Sequence, residues 1–120
     1  MPLSANRGAR HRAHARWAPI FVGALIWAGT APFAMAEPKV HTVIMEALKY
    51  LPPVIEVAVG DTVVWTNKDP FPHTVTAENR SFDSGEIAPN RSWKFKTKEK
   101  GDFSYVCTIH PTMKGRLLVK

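Results

Sequence analysis

The residues best suited to chemistry lie near the end of the 120-residue chain, where the only cysteine, Cys107, precedes His110 and Met113 at intervals of three. A further histidine, His73, follows a proline-rich segment at 69–72. A thiolate, two imidazoles and a weak thioether are the ligand set of electron-transfer copper sites, because these donors suit both Cu(I) and Cu(II). The residue types therefore predict a mononuclear copper site with His73, Cys107, His110 and Met113 as its ligands.

Each of these residues has a more ordinary interpretation when it is considered alone. A single cysteine is often buried and inert, and a lone methionine usually packs in a core. Zinc is the main alternative metal, since it accepts a thiolate and imidazoles but prefers a fourth ligand harder than a thioether. His41 could supply that fourth ligand, but it falls in a predicted strand and we expect it to be an ordinary strand residue.

The first 36 residues differ in composition from the rest of the chain. Four arginines and no acidic residue precede an uncharged stretch that ends in Ala34-Met-Ala36. A basic start, an apolar centre and small residues at the end are typical of a cleaved signal peptide. We predict a signal peptide over residues 1–36 and one domain over residues 37–120. An uncleaved membrane anchor is the alternative, since the uncharged stretch has about the length that a bilayer requires.

Charge and cysteine content restrict the function of residues 37–120. The whole chain has 16 basic and 10 acidic residues; without the four leader arginines, 12 basic residues remain, a net charge of +2. A nucleic-acid-binding function therefore loses its main support. Export would bring the domain into an oxidising compartment, where disulfides are expected. Because one cysteine cannot form an internal disulfide, Cys107 is a candidate for a dimer bridge, a reactive group or a metal ligand. The neighbouring His110 and Met113 favour the role of metal ligand.

Residues 37–120 show no sustained helical period. Short runs of β-branched and aromatic residues alternate with turn signals, which predicts an all-β sandwich or barrel. The predicted strands cover residues 40–45, 54–59, 62–66, 73–77, 92–97, 103–107 and 115–120. Because side chains alternate along a strand, Phe103, Tyr105 and Cys107 share one face, as do Trp93 and Phe95. We expect these aromatic residues to form the core and the sulfur of Cys107 to point into one end of it.

These residues also resemble the cupredoxins, the small blue copper proteins. Residues 60–67 and 69–73 look like the strand and first-ligand loop of that family, and residues 101–107 look like the strand that leads to its cysteine. The short Cys-x2-His-x2-Met loop is similar to that of amicyanins, whereas plastocyanin-like relatives have longer loops. The resemblance covers essentially all of residues 37–120.

The resemblance implies a Greek-key β-sandwich with one type 1 copper ion. His73, Cys107 and His110 would be the equatorial ligands, and Met113 the weak axial ligand. Thr74 stands where many relatives have an asparagine that ties the two ligand loops together; its hydroxyl could bond near Thr108, with a shorter reach.

The resemblance also implies a periplasmic electron carrier rather than an enzyme. Amicyanins accept electrons from methylamine dehydrogenase and pass them to a c-type cytochrome. We expect a monomer that, once its leader is cleaved, has neither a membrane nor a nucleic acid as partner. The alternative function is periplasmic copper storage or delivery, although proteins of that class usually offer exchangeable sites rich in methionine or histidine.

Two surfaces of the domain are candidates for partner binding. Four apolar residues near His110 predict a small exposed apolar surface of the kind that marks docking sites: Phe71, Pro72, Pro111 and Met113. Four alternating lysines form the second candidate surface: Lys94, Lys96, Lys98 and Lys100. They either protect a strand edge against aggregation or attract an acidic partner.

Overall fold

The computed structural model describes residues 14–15, 17–32 and 36–120. The chain divides into two units, residues 1–33 and 34–120. In the first unit the described residues form no helix or strand, and large apolar side chains such as Trp17 and Phe21 are exposed. Much of the predicted signal peptide, at 1–13, 16 and 33–35, lies outside the described residues. Across the part of the chain that is described, no helix has the length and apolar character needed to cross a membrane.

Residues 36–120 form eight β-strands and no helix. The strands are β1 Val40–Glu46, β2 Lys49–Leu51, β3 Val54–Val57, β4 Thr62–Asn67, β5 Thr76–Ala77, β6 Ser92–Lys96, β7 Gly101–Val106 and β8 Lys114–Val119. They pair into two four-stranded sheets with the orders β2-β1-β4-β6 and β3-β8-β7-β5. Both sheets are mixed, because β1 runs parallel to β4 and β3 runs parallel to β8, whereas the other pairs are antiparallel.

The core lies between the inner faces of the two sheets, as the alternation of the strands predicted. Trp65 of β4 and Tyr105 of β7 are fully buried, and their rings meet edge to face with centroids 5.6 Å apart. Trp93, Phe95 and Phe103 pack against this core while remaining partly exposed. Because the contact between Trp65 and Tyr105 joins the two sheets, the predicted all-β sandwich is confirmed.

Strand β2 was not predicted from the sequence. It pairs with β1 through a two-residue turn at Ala47 and Leu48, whose φ angles are +51° and +58°. Such turns usually contain asparagine or glycine, so the ordinary signal was missing. The amides of Ala47 and Leu48 donate to the carboxylate of Asp69 at 2.8 and 3.1 Å. A side chain distant in sequence therefore stabilises the turn.

The predicted strand over residues 73–77 was only partly right. Thr76–Ala77 forms β5, whereas His73 makes an isolated antiparallel bridge with Ile87. The His73 amide donates to the Ile87 carbonyl at 3.1 Å, and the Ile87 amide donates back at 2.7 Å. This bridge attaches the His73 loop to the long connection between β5 and β6. The Leu51–Pro52 peptide, at the end of β2, is cis.

Candidate metal centre

Three of the four predicted ligands meet at one end of the sandwich. The Nδ1 atoms of His73 and His110 each lie 3.8 Å from the Sγ atom of Cys107. The three ligand atoms lie within 4.8 Å of one another, and no other such cluster of histidine, cysteine or acidic residues occurs among the described residues. The tertiary structure therefore brings residue 73 to a loop that begins 34 positions later in the chain.

The spacing of these atoms fits a bound metal ion. Zinc, as a typical example, lies about 2.0–2.1 Å from an imidazole nitrogen and about 2.3 Å from a thiolate sulfur. With a trigonal angle between them, those bond lengths separate nitrogen and sulfur by about 3.7 Å. The observed separation is 3.8 Å for both histidines. One soft thiolate between two imidazoles is also the donor chemistry that favours copper.

The loop after β7 brings Cys107, His110 and Met113 together. Cys107 follows Tyr105 on the inward face, so its side chain is fully buried at the end of the core. The Cys107 amide donates to the Met113 carbonyl at 3.1 Å, and the Met113 amide donates to the His110 carbonyl at 2.9 Å. These bonds close a turn around Pro111. Met113 is buried in this loop, and its thioether remains the predicted axial ligand.

The His73 ring is held from the side opposite the sulfur. Its Nε2 atom donates to the carboxylate of Asp69 at 2.7 Å, and both residues are buried. Metal-binding histidines commonly donate their second N–H to a carboxylate, which sets the tautomer and the ring orientation. A proton on Nε2 leaves the Nδ1 lone pair directed toward Cys107.

The carboxylate of Asp69 is stabilised in its charged form. Desolvation by burial opposes ionisation, but hydrogen bonds from His73 and from the amides of Leu48 and Ala47 outweigh it and lower the pKa of Asp69. Asp69 therefore remains an acceptor for the His73 proton at neutral pH.

Asn67 shapes the loop that carries Asp69 and His73. Its buried side chain donates to the carbonyls of Phe71 at 2.8 Å and Ile87 at 3.0 Å, and it accepts from the Asp69 amide at 2.9 Å. The last bond is an Asx-type turn, in which a side chain bonds to the backbone two residues later. Sequence reasoning assigned no role to Asn67 or Asp69. The available signal was a carboxylate four residues before a candidate ligand in a loop stiffened by proline.

Thr74 links the two ligand loops, as the sequence had suggested. Its hydroxyl accepts a hydrogen bond from the Thr108 amide at 2.9 Å. Its own amide donates to the Sγ atom of Cys107 at 3.3 Å. The Thr74 loop therefore contacts the Cys107 loop both at its backbone and at the sulfur.

His110 is the partly exposed member of the group, and apolar residues surround it. The Phe71 ring lies against the rings of both His73 and His110, with centroid separations of 5.4 Å in each case. Phe71 is 37% exposed, Ile109 is 41% exposed, and Pro111 is exposed. Phe71, Ile109 and Pro111 are called the apolar rim below. Met113 does not contribute to the rim because it is buried.

His41 does not join the metal centre. It lies in β1, and its Nε2 atom is 2.8 Å from the carboxylate of Asp61. Asp61 also accepts hydrogen bonds from the amides of Lys39 and Ala58. His41 is thus an ordinary strand residue, as predicted, and it does not supply the fourth ligand of a zinc site.

Comparison with known proteins supports the resemblance. The family model described as a cupredoxin-like domain matches residues 18–119. The chain belongs to the cupredoxin-like family. Amicyanin from Paracoccus denitrificans is 30% identical in an alignment of 97 positions that covers 75% of this chain and 74% of that protein.

Solved structures also resemble this cupredoxin. The Cu(I) form of an amicyanin variant has a TM-score of 0.63 and 29% sequence identity, over 68% of this chain and 82% of that chain. A copper-containing nitrite reductase from Thermus scotoductus has a TM-score of 0.65 and 28% identity, over 71% of this chain but 23% of that chain. The chain thus matches most of the amicyanin structure and a minor part of the reductase.

Proposed function

We propose that the protein is an electron carrier with a single type 1 copper site formed by His73, Cys107, His110 and Met113. The observation that carries this proposal is the pair of 3.8 Å separations between the imidazole Nδ1 atoms and the Cys107 sulfur. Bound copper would supply one-electron chemistry by cycling between Cu(I) and Cu(II), both of which this donor set accommodates.

The residues around the site keep the ligands in place, which suits rapid electron transfer. Asp69 holds the ring of His73, and Thr74 joins its own loop to the loop of Cys107. The outer partners of metal ligands fix orientation in this way. A site that is already shaped for the metal needs little rearrangement when the charge on the metal changes.

His110 is the proposed path for electrons between the site and a partner. Its Nδ1 atom faces the buried sulfur, while the residue is partly exposed beside the apolar rim. Weak redox encounters use small interfaces that dissociate readily. By the cupredoxin resemblance, the proposed partners are a donor dehydrogenase and a c-type cytochrome, and the carrier acts as a monomer.

Copper storage or delivery is the second candidate function, and the burial of the ligands argues against it. His73, Cys107 and Met113 are 0–1% exposed, which hinders transfer of the ion to another protein. A copper enzyme is a weaker candidate still. The chain covers only 23% of the nitrite reductase chain. The described residues contain one cluster of candidate metal ligands, whereas redox copper enzymes need a second metal centre or a substrate-binding position.

We also propose that residues 1–36 are a signal peptide and that residues 37–120 act in the periplasm. The support is the arginine-rich start, the apolar centre and the sequence Ala34-Met-Ala36. The mass of the protein purified from a bacterial periplasmic fraction tests this proposal. An amino terminus at Glu37 is expected, whereas an intact chain found in the membrane fraction would support an uncleaved anchor.

The copper site is tested by the absorption spectrum of the purified protein after addition of Cu(II). An intense blue band from thiolate-to-copper charge transfer is expected, and Cys107→Ala should abolish it. Lys114→Ala, which alters an exposed residue after the same loop, should retain the band. A colourless protein that keeps tightly bound zinc would contradict the proposed function.

A further inference from the structure

A row of hydroxyl groups extends from the ligand loops to an exposed carboxylate. The hydroxyl oxygens of Thr108 and Thr74 are 3.2 Å apart, and those of Thr74 and Thr76 are 3.0 Å apart. The Thr76 hydroxyl donates to Oδ1 of Asp83 at 3.0 Å. Thr74 and Thr76 are buried, whereas Asp83 is exposed. The row therefore connects the surroundings of the Cys107 sulfur to a residue on the surface.

The chemistry of these groups gives the row one direction. An ionised carboxylate only accepts hydrogen bonds, and each hydroxyl has one proton to donate and two lone pairs. The single proton of Thr76 is used on Asp83, so the bond between Thr74 and Thr76 requires the proton of Thr74. The oxygen of Thr74 is then left as an acceptor for the amide and the hydroxyl of Thr108.

Asp83 is itself held in place by the connection between β5 and β6. Thr76 and Asp83 form an isolated antiparallel bridge, and Oδ1 of Asp83 also accepts from the Gly85 amide at 2.9 Å. Gly85 has a φ of +63°, a conformation that glycine adopts without steric cost. The position of the carboxylate is thus set by the backbone around it.

We propose that Asp83 is a remote positioning residue of the metal centre. By accepting the proton of Thr76 it directs the Thr74 hydroxyl toward Thr76, which keeps the Thr74 oxygen available to the Thr108 amide. Thr74 thereby holds the Cys107 loop while its own amide donates to the sulfur. The part of this inference that concerns copper rests on the proposed function, whereas the part that concerns the hydroxyl row does not.

Loss of the acceptor would remove the direction of the row. The Thr76 proton could then point back to Thr74, and the Thr74 proton could turn toward Thr108. The hydroxyl protons would then have two arrangements of similar energy instead of one. Hydrogen bonds in a chain strengthen one another only when they share a common direction, so this strengthening would be reduced. The bond from the Thr108 amide to Thr74 would weaken, and the two ligand loops would be joined less firmly.

Hydrogen exchange of the Thr108 amide tests the row directly. It is measured by NMR in the Cu(I)-loaded protein and again in the metal-free protein. Asp83→Ala should speed the exchange about fivefold, the factor that corresponds to a neutral hydrogen bond of about 1 kcal/mol. Asp83→Asn keeps an acceptor oxygen and should change it less than about twofold. Glu86→Ala, which removes an exposed acid from the same connection, should leave it unchanged.

The spectrum and reduction potential of the copper protein provide a second measurement. Asp83→Ala should broaden the EPR signal and shift the potential more than Asp83→Asn does, although both variants remove the same charge. Thr76→Val removes the hydroxyl and should behave like Asp83→Ala, whereas Thr76→Ser should behave like the unaltered protein. Thermal unfolding of each variant identifies any that fails to fold.

Two results would overturn the inference. One is an unchanged Thr108 exchange rate in both Asp83→Ala and Thr76→Val when these variants are folded. The other is an equal shift of the reduction potential in Asp83→Ala and Asp83→Asn, because loss of the negative charge would then explain the shift without the hydroxyl row. A protein that shows the exchange effects but develops no blue band would contradict the proposed function and leave the hydroxyl row supported.

Discussion

The carboxylate of Asp69 accepts the Nε2 proton of His73 at 2.7 Å, four residues along the same loop. The same carboxylate accepts the amides of Ala47 and Leu48, which form the turn between β1 and β2. One side chain therefore connects a proposed metal ligand to a turn more than 20 residues away. Correct folding of that turn and correct orientation of the ligand depend on the same group.

Replacing Asp69 should weaken metal binding. Loss of a carboxylate that orients a ligating histidine typically lowers metal affinity 10–100-fold, and we expect Asp69→Ala to fall in that range. Competition titrations with Zn(II) and with Cu(I) measure the effect, and Glu86→Ala is the control for loss of an exposed acid. A decrease below about threefold in a folded Asp69→Ala protein would show that burial and Asn67 suffice to hold the ring.

Replacing Gly115 should destabilise the sandwich. Gly115 lies opposite Tyr105 in the pairing of β7 and β8, and a Cβ atom at residue 115 would overlap the Tyr105 ring, with Cε2 at 2.5 Å. Overpacking of a core usually costs about 1–3 kcal/mol, and we expect Gly115→Ala to lower the free energy of unfolding by that amount. Urea unfolding of the metal-free protein measures it.

The cause of that loss can be checked with a second replacement. In a Tyr105→Leu background the steric overlap is reduced, so Gly115→Ala should cost less than it does in the unaltered protein. Strict additivity of the two changes would mean that contact with Tyr105 is not the reason for the effect.

Stability should fall in acid because of Asp61. Hydrogen bonds from the Lys39 amide, the His41 side chain and the Ala58 amide lower the pKa of Asp61 from 3.8 to about 2. Because the pKa is lower in the folded protein, ionised Asp61 stabilises the fold at any pH above 3.8, the pKa of the unfolded chain. This contribution is lost as the pH falls from 3.8 to about 2. Asp61→Asn should flatten the pH dependence of urea unfolding in that window. The control Glu78→Gln should retain the full dependence.

A charge placed on the apolar rim should slow electron transfer to a partner. Ile109 and Pro111 are exposed, so Ile109→Glu and Pro111→Glu should lower the transfer rate while the blue band is retained. Phe71 is less suitable for this test because its ring contacts both ligand imidazoles. Stopped-flow measurement with a c-type cytochrome checks the prediction, with Val54→Glu as the control on β3. Equal rates for all three variants would exclude the rim as the contact surface.

Removing lysines from β6 and the turn after it should weaken association with an acidic partner. β6 is an edge strand, and Lys94, Lys96, Lys98 and Lys100 are exposed. Within residues 36–120 none of these four forms an ion pair. Their position suits protection of the edge against aggregation, and they are also free to attract negative charge.

The two roles of these lysines are separated by the salt dependence of association. With a c-type cytochrome of net negative charge, the association rate should fall steeply as ionic strength rises. Replacing the four lysines with glutamine should lower the rate at low salt and flatten its dependence. Lys39→Gln with Lys49→Gln removes charge elsewhere and should have a smaller effect. An unchanged salt dependence after the fourfold replacement would leave edge protection as the only role.

Local patterns in the sequence were sufficient to predict the class of fold and to name the candidate ligands. Alternation along a strand depends on adjacent residues, so the inward direction of Tyr105 and Cys107 could be predicted without knowledge of the neighbouring strands. The donor set of His73, Cys107, His110 and Met113 could be predicted because metal preference follows from ligand chemistry. The structure brings the first three of these together.

The tertiary structure decided which groups support those ligands. Asp69 acts on His73 only because the loop is folded by Asn67, and it reaches Ala47 and Leu48 only because β1 lies beside β4. The β1–β2 turn has positive φ angles but contains neither glycine nor asparagine, so the sequence gives no local sign of it. The acceptor that stabilises this turn, Asp69, comes from another part of the chain.

The row of hydrogen bonds from Thr74 to Asp83 is likewise set by the tertiary structure. The sequence by itself determined an all-β domain, its inward faces and a copper-type donor set, because each depends on local alternation or on ligand chemistry. The tertiary structure decided how the ligands are held, because hydrogen bonds between distant residues depend on distances that the order of residues in the chain does not specify.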